Sequence, residues 1–402
     1  MSLLAAAQGF WRRLPLPLRQ LAAPLINRAT DASVRAGARH RVRGPAEGPI
    51  RIVGMVGDSS GIAASARLCH RAFEALGVPT EIVGVRADGL DLSARLAAPA
   101  PAAAWIFHLN PAEMVAAMAS LGSERIVGPR YGVWAWELPK APDRWLTDAA
   151  LLDEVWAPSR YTADALAGAA APIRVVPHPL FLEDYAGVTP KPRHASFQAV
   201  SLFDFKSSMA RKNPLGAIAA FRRAFANDPA CVLTLKTQNG AAFPHELAVL
   251  RAAAPGNVRI IDETWPYAEV KQLIAGADVL ISLHRGEGFG LTPAEAMALG
   301  TPVLVTGYSG VLDFLDDSCA LLTPFTPIPV EDPQRIYDGQ TWANPDLDAA
   351  AKDLIRLRNE PELRARLAAA GRTQVAQRLS PQAWFAALPD AVQTAALAAK
   401  AR

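Results

Sequence analysis

Ser282-Leu-His-Arg-Gly-Glu-Gly-Phe-Gly-Leu-Thr-Pro-Ala-Glu-Ala-Met-Ala-Leu-Gly-Thr-Pro-Val-Leu-Val-Thr306 reads as the end of a buried strand, a glycine-rich loop, a short helix and a second buried strand. Val279-Leu-Ile-Ser-Leu283 is a mostly apolar run of strand length, as expected of a parallel strand covered on both faces. Gly286, Gly288 and Gly290 follow, and glycine lets a ligand approach the backbone closely. Thr292 is placed to cap the next helix, with Pro293 at its first position and Gly300 at its end. The N–H groups at such a helix start form an anion site. Glu287 in the loop and Glu295 in the helix are eight residues apart and aim two acceptors at the same region. A ligand carrying both hydroxyls and phosphates suits that arrangement. Glu295 has two readings, because Thr292-x-x-Glu295 is also a capping box. Glu287, between two glycines, has no helix to cap and reads as a ligand group.

Outward from this stretch, strands and helices alternate in two series. The first runs from Ile50-Arg-Ile-Val-Gly-Met-Val56 to Ile173-Arg-Val-Val176, and the second starts at Phe197-Gln-Ala-Val-Ser-Leu202. Pro177, Pro179, Pro190 and Pro192 mark the linker between them. Such alternation predicts an α/β fold of two doubly wound, Rossmann-like domains with a cleft between the carboxyl ends of their sheets. The expected division is a basic arm over 1–48, a first domain over 49–190 and a second over 194–384. One last helix is expected from Pro381 to Ala399, with its end, about 385–402, packing back on the first domain.

Composition narrows the function classes. A hydrophobic content of 51% over 402 residues supplies two cores and excludes a disordered chain. A net charge of +3 is too small to imply nucleic acid. Cys69, Cys231 and Cys319 are sparse, odd in number and far apart, which argues against a disulfide scaffold and for a reducing compartment. No His or Cys spacing suits a metal, and no apolar run is long enough to span a bilayer. The first 43 residues hold eight arginines with Asp31 as the only acid, interleaved with Phe10, Trp11 and several leucines. They read either as an arm on an anionic membrane surface or as a packed leader.

A basic loop, Phe203-Asp-Phe-Lys-Ser-Ser-Met-Ala-Arg-Lys-Asn-Pro214, follows the first strand of the second domain and so sits at the same sheet edge as the glycine loop. Lys206, Arg211 and Lys212 on a loop that ends at a helix start suit a phosphate. Arg211-Lys212-Asn213, then Ala277-Asp278, then Glu287-Gly-Phe-Gly-Leu-x-x-x-Glu295-Ala-x-Ala-x-Gly-x-Pro302 together resemble glycosyltransferase family 4, retaining enzymes of the GT-B architecture. Tyr131-Gly-Val-Trp-Ala-Trp-Glu-Leu138 and Asp153-Glu-Val-Trp-Ala-x-Ser159 look like its bacterial polysaccharide branch.

The resemblance implies transfer of a sugar from a nucleotide diphosphate sugar to a glycan or lipid-linked glycan hydroxyl, with no metal and no cofactor beyond the co-substrate. By it, Glu287 contacts the sugar hydroxyls and Glu295 the ribose, while Lys212 and Arg211 hold the diphosphate. Gly288, Phe289, Gly290, Leu291 and Thr292 line the donor site with Lys206, and Gly61 approaches from the first domain. Two departures stand out. Ser207 occupies the region where many relatives carry an arginine, leaving Lys206 as the nearest cation. Where many relatives have an acceptor-side histidine, this chain has Trp134, Trp136 and Glu137, and His108 on a neighbouring strand is the substitute. Trp134 and Trp136 either stack on acceptor sugar rings or pack in the core. The expected setting is cytoplasmic, at the inner face of a bacterial membrane. A sugar-nucleotide 2-epimerase and a non-catalytic nucleotide-sugar-binding subunit are the alternatives.

Overall fold

The computed structural model describes residues 31–42, 47–57, 61–85, 95–192, 196–332, 337 and 339–400. The part of the basic arm over 1–30 and the tip of the first-domain loop over 58–60 lie outside the described residues.

In the first lobe, strands β1 (Ile50–Gly54), β2 (Thr80–Gly84), β3 (Ala104–His108), β4 (Arg130–Val133), β5 (Glu154–Ala157) and β6 (Ile173–Val175) form one sheet in the order β2-β1-β3-β4-β5-β6. Every pairing is parallel. In the second lobe, β7 (Phe197–Asp204), β8 (Cys231–Gln238), β9 (Val258–Asp262), β10 (Val279–Ser282), β11 (Val303–Thr306) and β12 (Leu321–Thr323) run β9-β8-β7-β10-β11-β12, again all parallel. The interior strands β3 and β11 are buried at every residue, as expected of parallel strands with helices on both faces.

Strand order reverses between β1 and β3 in the first sheet and between β7 and β10 in the second. Loops leaving the carboxyl ends of two such strands part there and open a crevice. His108 ends β3, and α1 (Gly61–Ala75) follows the loop after β1. The loop after β7 leads through a single helical turn, α2 (Met209–Lys212), into α3 (Pro214–Phe225). The loop after β10 leads into α4 (Leu291–Leu299).

Three local readings are corrected. Thr292 is not the cap of α4: the helix starts at Leu291 on Gly290, whose φ of 101° is one that glycine adopts without strain. The segment after residue 380 is two helices, Pro381–Ala387 and Asp390–Lys400, because Pro389 lacks the N–H that continuation needs. An antiparallel hairpin, Phe325–Pro329 with Thr341–Pro345, adds to the strands expected from the sequence. It places Trp342 and Tyr337 in the same apolar cluster as Trp134, Trp136 and Leu138 of the first lobe.

Residues 31–38 are helical. This segment is packed on the first lobe: Ala38 is buried, Arg35 pairs with Asp148, and Ser123 Oγ donates to the carbonyl of Ala38 at 2.8 Å. The two helices over 381–400 also lie on the first lobe. Trp384 meets Phe73 of α1 edge-on at 4.9 Å, and Val392 and Ala396 join the core of Ile50 and Ile52. Among the described residues no helix is long and apolar enough to cross a membrane.

Candidate active site between the lobes

Two loops of the second lobe are tied together by one backbone and two side-chain hydrogen bonds. Arg285 N donates to Arg211 O at 2.8 Å, Arg211 Nη1 to Gly286 O at 2.8 Å, and Asn213 Nδ2 to Leu283 O at 2.8 Å. Asn213 holds a left-handed φ of 52° while its Oδ1 accepts from Gly216 N and caps α3. This turn sets Arg211 and Lys212 against the glycine loop. Glu287 is fixed from below: its N–H donates to Ser309 Oγ at 2.9 Å, and its carbonyl accepts from Gly310 N at 2.9 Å.

The Glu287 carboxylate therefore lies between two cations. Lys212 Nζ bonds to Oε1, and Arg211 Nη1 lies 3.4 Å from Oε2. Glu287 is 7% exposed and Arg211 4%. Burial alone would raise the Glu287 pKa, but the charges of Lys212 and Arg211 outweigh it and hold the group at about 2. Burial opposes the Arg211 charge in the same way, yet Tyr337, Glu137 and Glu287 push its pKa above the ordinary range. Arg211 thus stands, fully charged, close to where Ser207 left a cation wanting. Lys206 is exposed, and the structure does not bring it to Glu287.

Glu295 is half-buried on α4 and accepts from Tyr267 Oη at 2.6 Å; Tyr267 in turn pairs with Tyr185 at 3.1 Å. It makes no capping box, since Gly290 begins the helix. Burial lifts its pKa to about 7 against the Tyr267 hydrogen bond and the Lys271 charge.

The first lobe closes directly on this loop. Ser159 caps Arg160–Ala165 by accepting from Thr162 N, and its Oγ also donates to Gly288 O at 2.6 Å. Thr162 Oγ1 donates to Trp136 O at 2.9 Å and lies 3.2 Å from Gly288 O. Tyr161 and Tyr308 hydroxyls meet at 2.8 Å across the junction. Glu137 takes the Tyr337 hydroxyl at 3.2 Å and lies 3.7 Å from Arg211. Trp134 and Trp136 are packing: Trp134 is fully buried against Trp145, and Trp136 sits between Trp145 and Tyr337 with its Nε1 donating to Lys140 O. Gly61 starts α1 with open space around it.

His108 belongs to a polar group that sequence reasoning sees only in part. Ser65 Oγ lies 2.9 Å from His108 Nδ1 and 3.1 Å from His178 Nδ1. One hydroxyl proton serves only one of them, so the other imidazole donates its own Nδ1–H. Burial, with a smaller effect of His178 on His108, lowers the two pKa values to about 3 and about 4, so both rings are neutral. His178 stands edge-on to Phe289 of the glycine loop at 4.8 Å. A helical spacing in α1 could have flagged Ser65; nothing local flags His178. His284, also missed, is buried with Nε2 3.1 Å from Tyr308 O.

Residues 165–388 match a family described as family 4 glycosyltransferase in conflict systems. No curated protein sequence matches the chain. Among solved structures, sucrose-phosphate synthase from Thermosynechococcus elongatus superposes with a TM-score of 0.63 at 16% identity, covering 88% of this chain and 98% of that one. Anabaena HepE, solved with UDP and glucose, gives 0.58 at 15% identity, covering 84% and 97%. A point mutant of S. aureus TarM, solved with fondaparinux, α-GlcNAc-glycerol and UDP, gives 0.52 at 12% identity, covering 71% of this chain. The chain spans about half of TarM, 54% of its length. With two facing doubly wound lobes and the family match over more than half of its length, the chain belongs to glycosyltransferase family 4, in the group found in conflict systems, and has the GT-B fold.

Proposed function

We propose that the protein transfers a glycosyl group from a nucleoside diphosphate sugar to an acceptor hydroxyl with retention at the anomeric carbon. The observation that carries this reading is the ionised Glu287, buried between Lys212 and Arg211 where the lobes meet. Sugar hydroxyls donate to Glu287, and Lys212 with Arg211 takes the diphosphate near the start of α4. The anomeric C–O bond breaks with its electron pair left on the phosphate. The acceptor oxygen forms the new bond on the same face and gives its proton to that phosphate oxygen. The cations supply the charge stabilisation, so the reading needs no metal and no cofactor. Glu295, ionised, accepts from the ribose. Gly288, Phe289, Gly290, Leu291 and Thr292 form the donor wall, with Lys206 and Gly61 at its rim, and Glu137 and His108 face the acceptor side. UDP is the first nucleotide to try, since TarM and HepE were solved with it. A glycan or lipid-linked glycan of surface-polysaccharide synthesis is the acceptor class, reached at the inner face of the membrane.

The test is turnover of a panel of UDP-sugars, with the product's anomeric configuration read by NMR. Glu287→Ala and Lys212→Ala should each lower kcat by about 10²–10³-fold, the range for losing one preorganised charge partner. Wild-type rates in purified Lys212→Ala, or an inverted anomer, would sink the proposal.

A further inference from the structure

A second cavity belongs to the first lobe alone. It measures about 490 Å³ and is lined by Arg35, Arg39, Arg41, Arg130 and Arg144 with Asp148, and none of its lining residues comes from the second lobe. Its volume is that of a small-ligand pocket. Five arginines meet three nearby acids: Asp148 pairs with Arg35, Asp31 with Arg35 and Arg144, and Asp153 with Arg41. Neither the Arg39 nor the Arg130 guanidinium makes an ion pair with a carboxylate among the described residues; Asp153 accepts from the Arg130 backbone N–H at 2.8 Å but pairs with Arg41. Arg130 is fully buried, its Nη atoms satisfied only by Ser123, His40 and Ile126 oxygens and its Nε by nothing. Burial and the charge of Arg41 lower its pKa to about 10 against the opposing charge of Asp153, so it keeps its charge at neutral pH. A buried cation whose guanidinium is held only by neutral oxygens is costly. The basic arm cannot supply that anion, since residues 1–30 contain no Asp or Glu. Asp148 Oδ2 is also buried without a donor. The cavity thus offers excess positive charge beside one acceptor for a hydroxyl.

We propose that this cavity binds a phosphate ester carrying free hydroxyls, either a soluble sugar phosphate or the polyol-phosphate headgroup of a lipid. The phosphate takes Arg39 and Arg144, the buried charge of Arg130 behind them adds to the positive field, and a hydroxyl donates to Asp148. Guanidinium forks suit phosphate in this way.

The full chain is titrated calorimetrically with fructose 1,6-bisphosphate and, separately, co-sedimented with phosphatidylglycerol or phosphatidylcholine vesicles. The variant is Arg39→Ala with Arg144→Ala. The control is Arg222→Ala with Arg259→Ala, which removes equal charge from exposed positions elsewhere. Binding of either anionic probe, weakened about tenfold or more in the variant and unchanged in the control, supports the site, and the probe that binds names the source. A UDP thermal shift reports on the junction independently and should not differ between the two variants. Failure of both probes on the wild-type chain, or equal weakening in variant and control, overturns the proposal.

Discussion

Glu287 and Glu295 belong to one loop-helix unit, yet their surroundings drive them apart: the first is held at about 2 by two cations, the second raised to about 7 by burial. A raised carboxyl contributes stability that is fully present below its ordinary value of 4.5 and is lost as pH climbs through about 7. Glu295→Gln, which keeps an acceptor for Tyr267, should therefore gain on the order of 1–2 kcal/mol over the wild type at pH 8 and little at pH 4.5. Urea unfolding at the two pH values checks this; a gain independent of pH would mean that the carboxyl titrates normally. On the proposed reading the same titration has a functional side, because the ionised carboxylate is the stronger acceptor for ribose hydroxyls.

At the level of elements, the turn at Asn213 joins the cationic loop to its helix. Its side chain makes both the α3 cap and the tie to Leu283 O, and its φ of 52° suits Asn better than Ala. Asn213→Ala should cost about 2–3 kcal/mol, a lost cap plus a buried hydrogen bond. Unchanged denaturant midpoints would remove the turn from the account. Much at this scale is legible in the chain. Pro214 after Asn213, the cap at Ser159 and the end at Gly300 follow from local chemistry, and buried parallel strands announce themselves as apolar runs. Thr292 misleads because a capping threonine and a glycine in a left-handed turn two residues earlier are equally good starts by pattern, and only the backbone decides. The hairpin at 325–345 is illegible because Pro327, Pro329 and Pro345 disguise edge strands as loop.

For the whole molecule, two lobes with a crevice are readable from alternation alone, but their manner of contact is not. Ser159, Thr162 and Glu137 reach the glycine loop and its cationic neighbour from far along the chain, and no local period records that. The contact is tight: a Cβ on Gly286 would run into the carbonyl of Glu137 in the facing lobe, and one on Gly288 would lie 3.1 Å from Trp136 O. Gly286→Ala should wedge the lobes apart and lower kcat by about 10²-fold, the scale of an ångström's misplacement, while circular dichroism stays native. Undiminished kcat would show that lobe spacing is set elsewhere. The return of residues 381–400 to α1 has a different consequence. A ribosome that has delivered Ile50 to Val175 has made a sheet whose outer seam at Phe73 stays greasy and bare until Trp384, Val392 and Ala396 emerge, so the lobe begun earlier is finished later than its neighbour, and a chaperone would have reason to wait there.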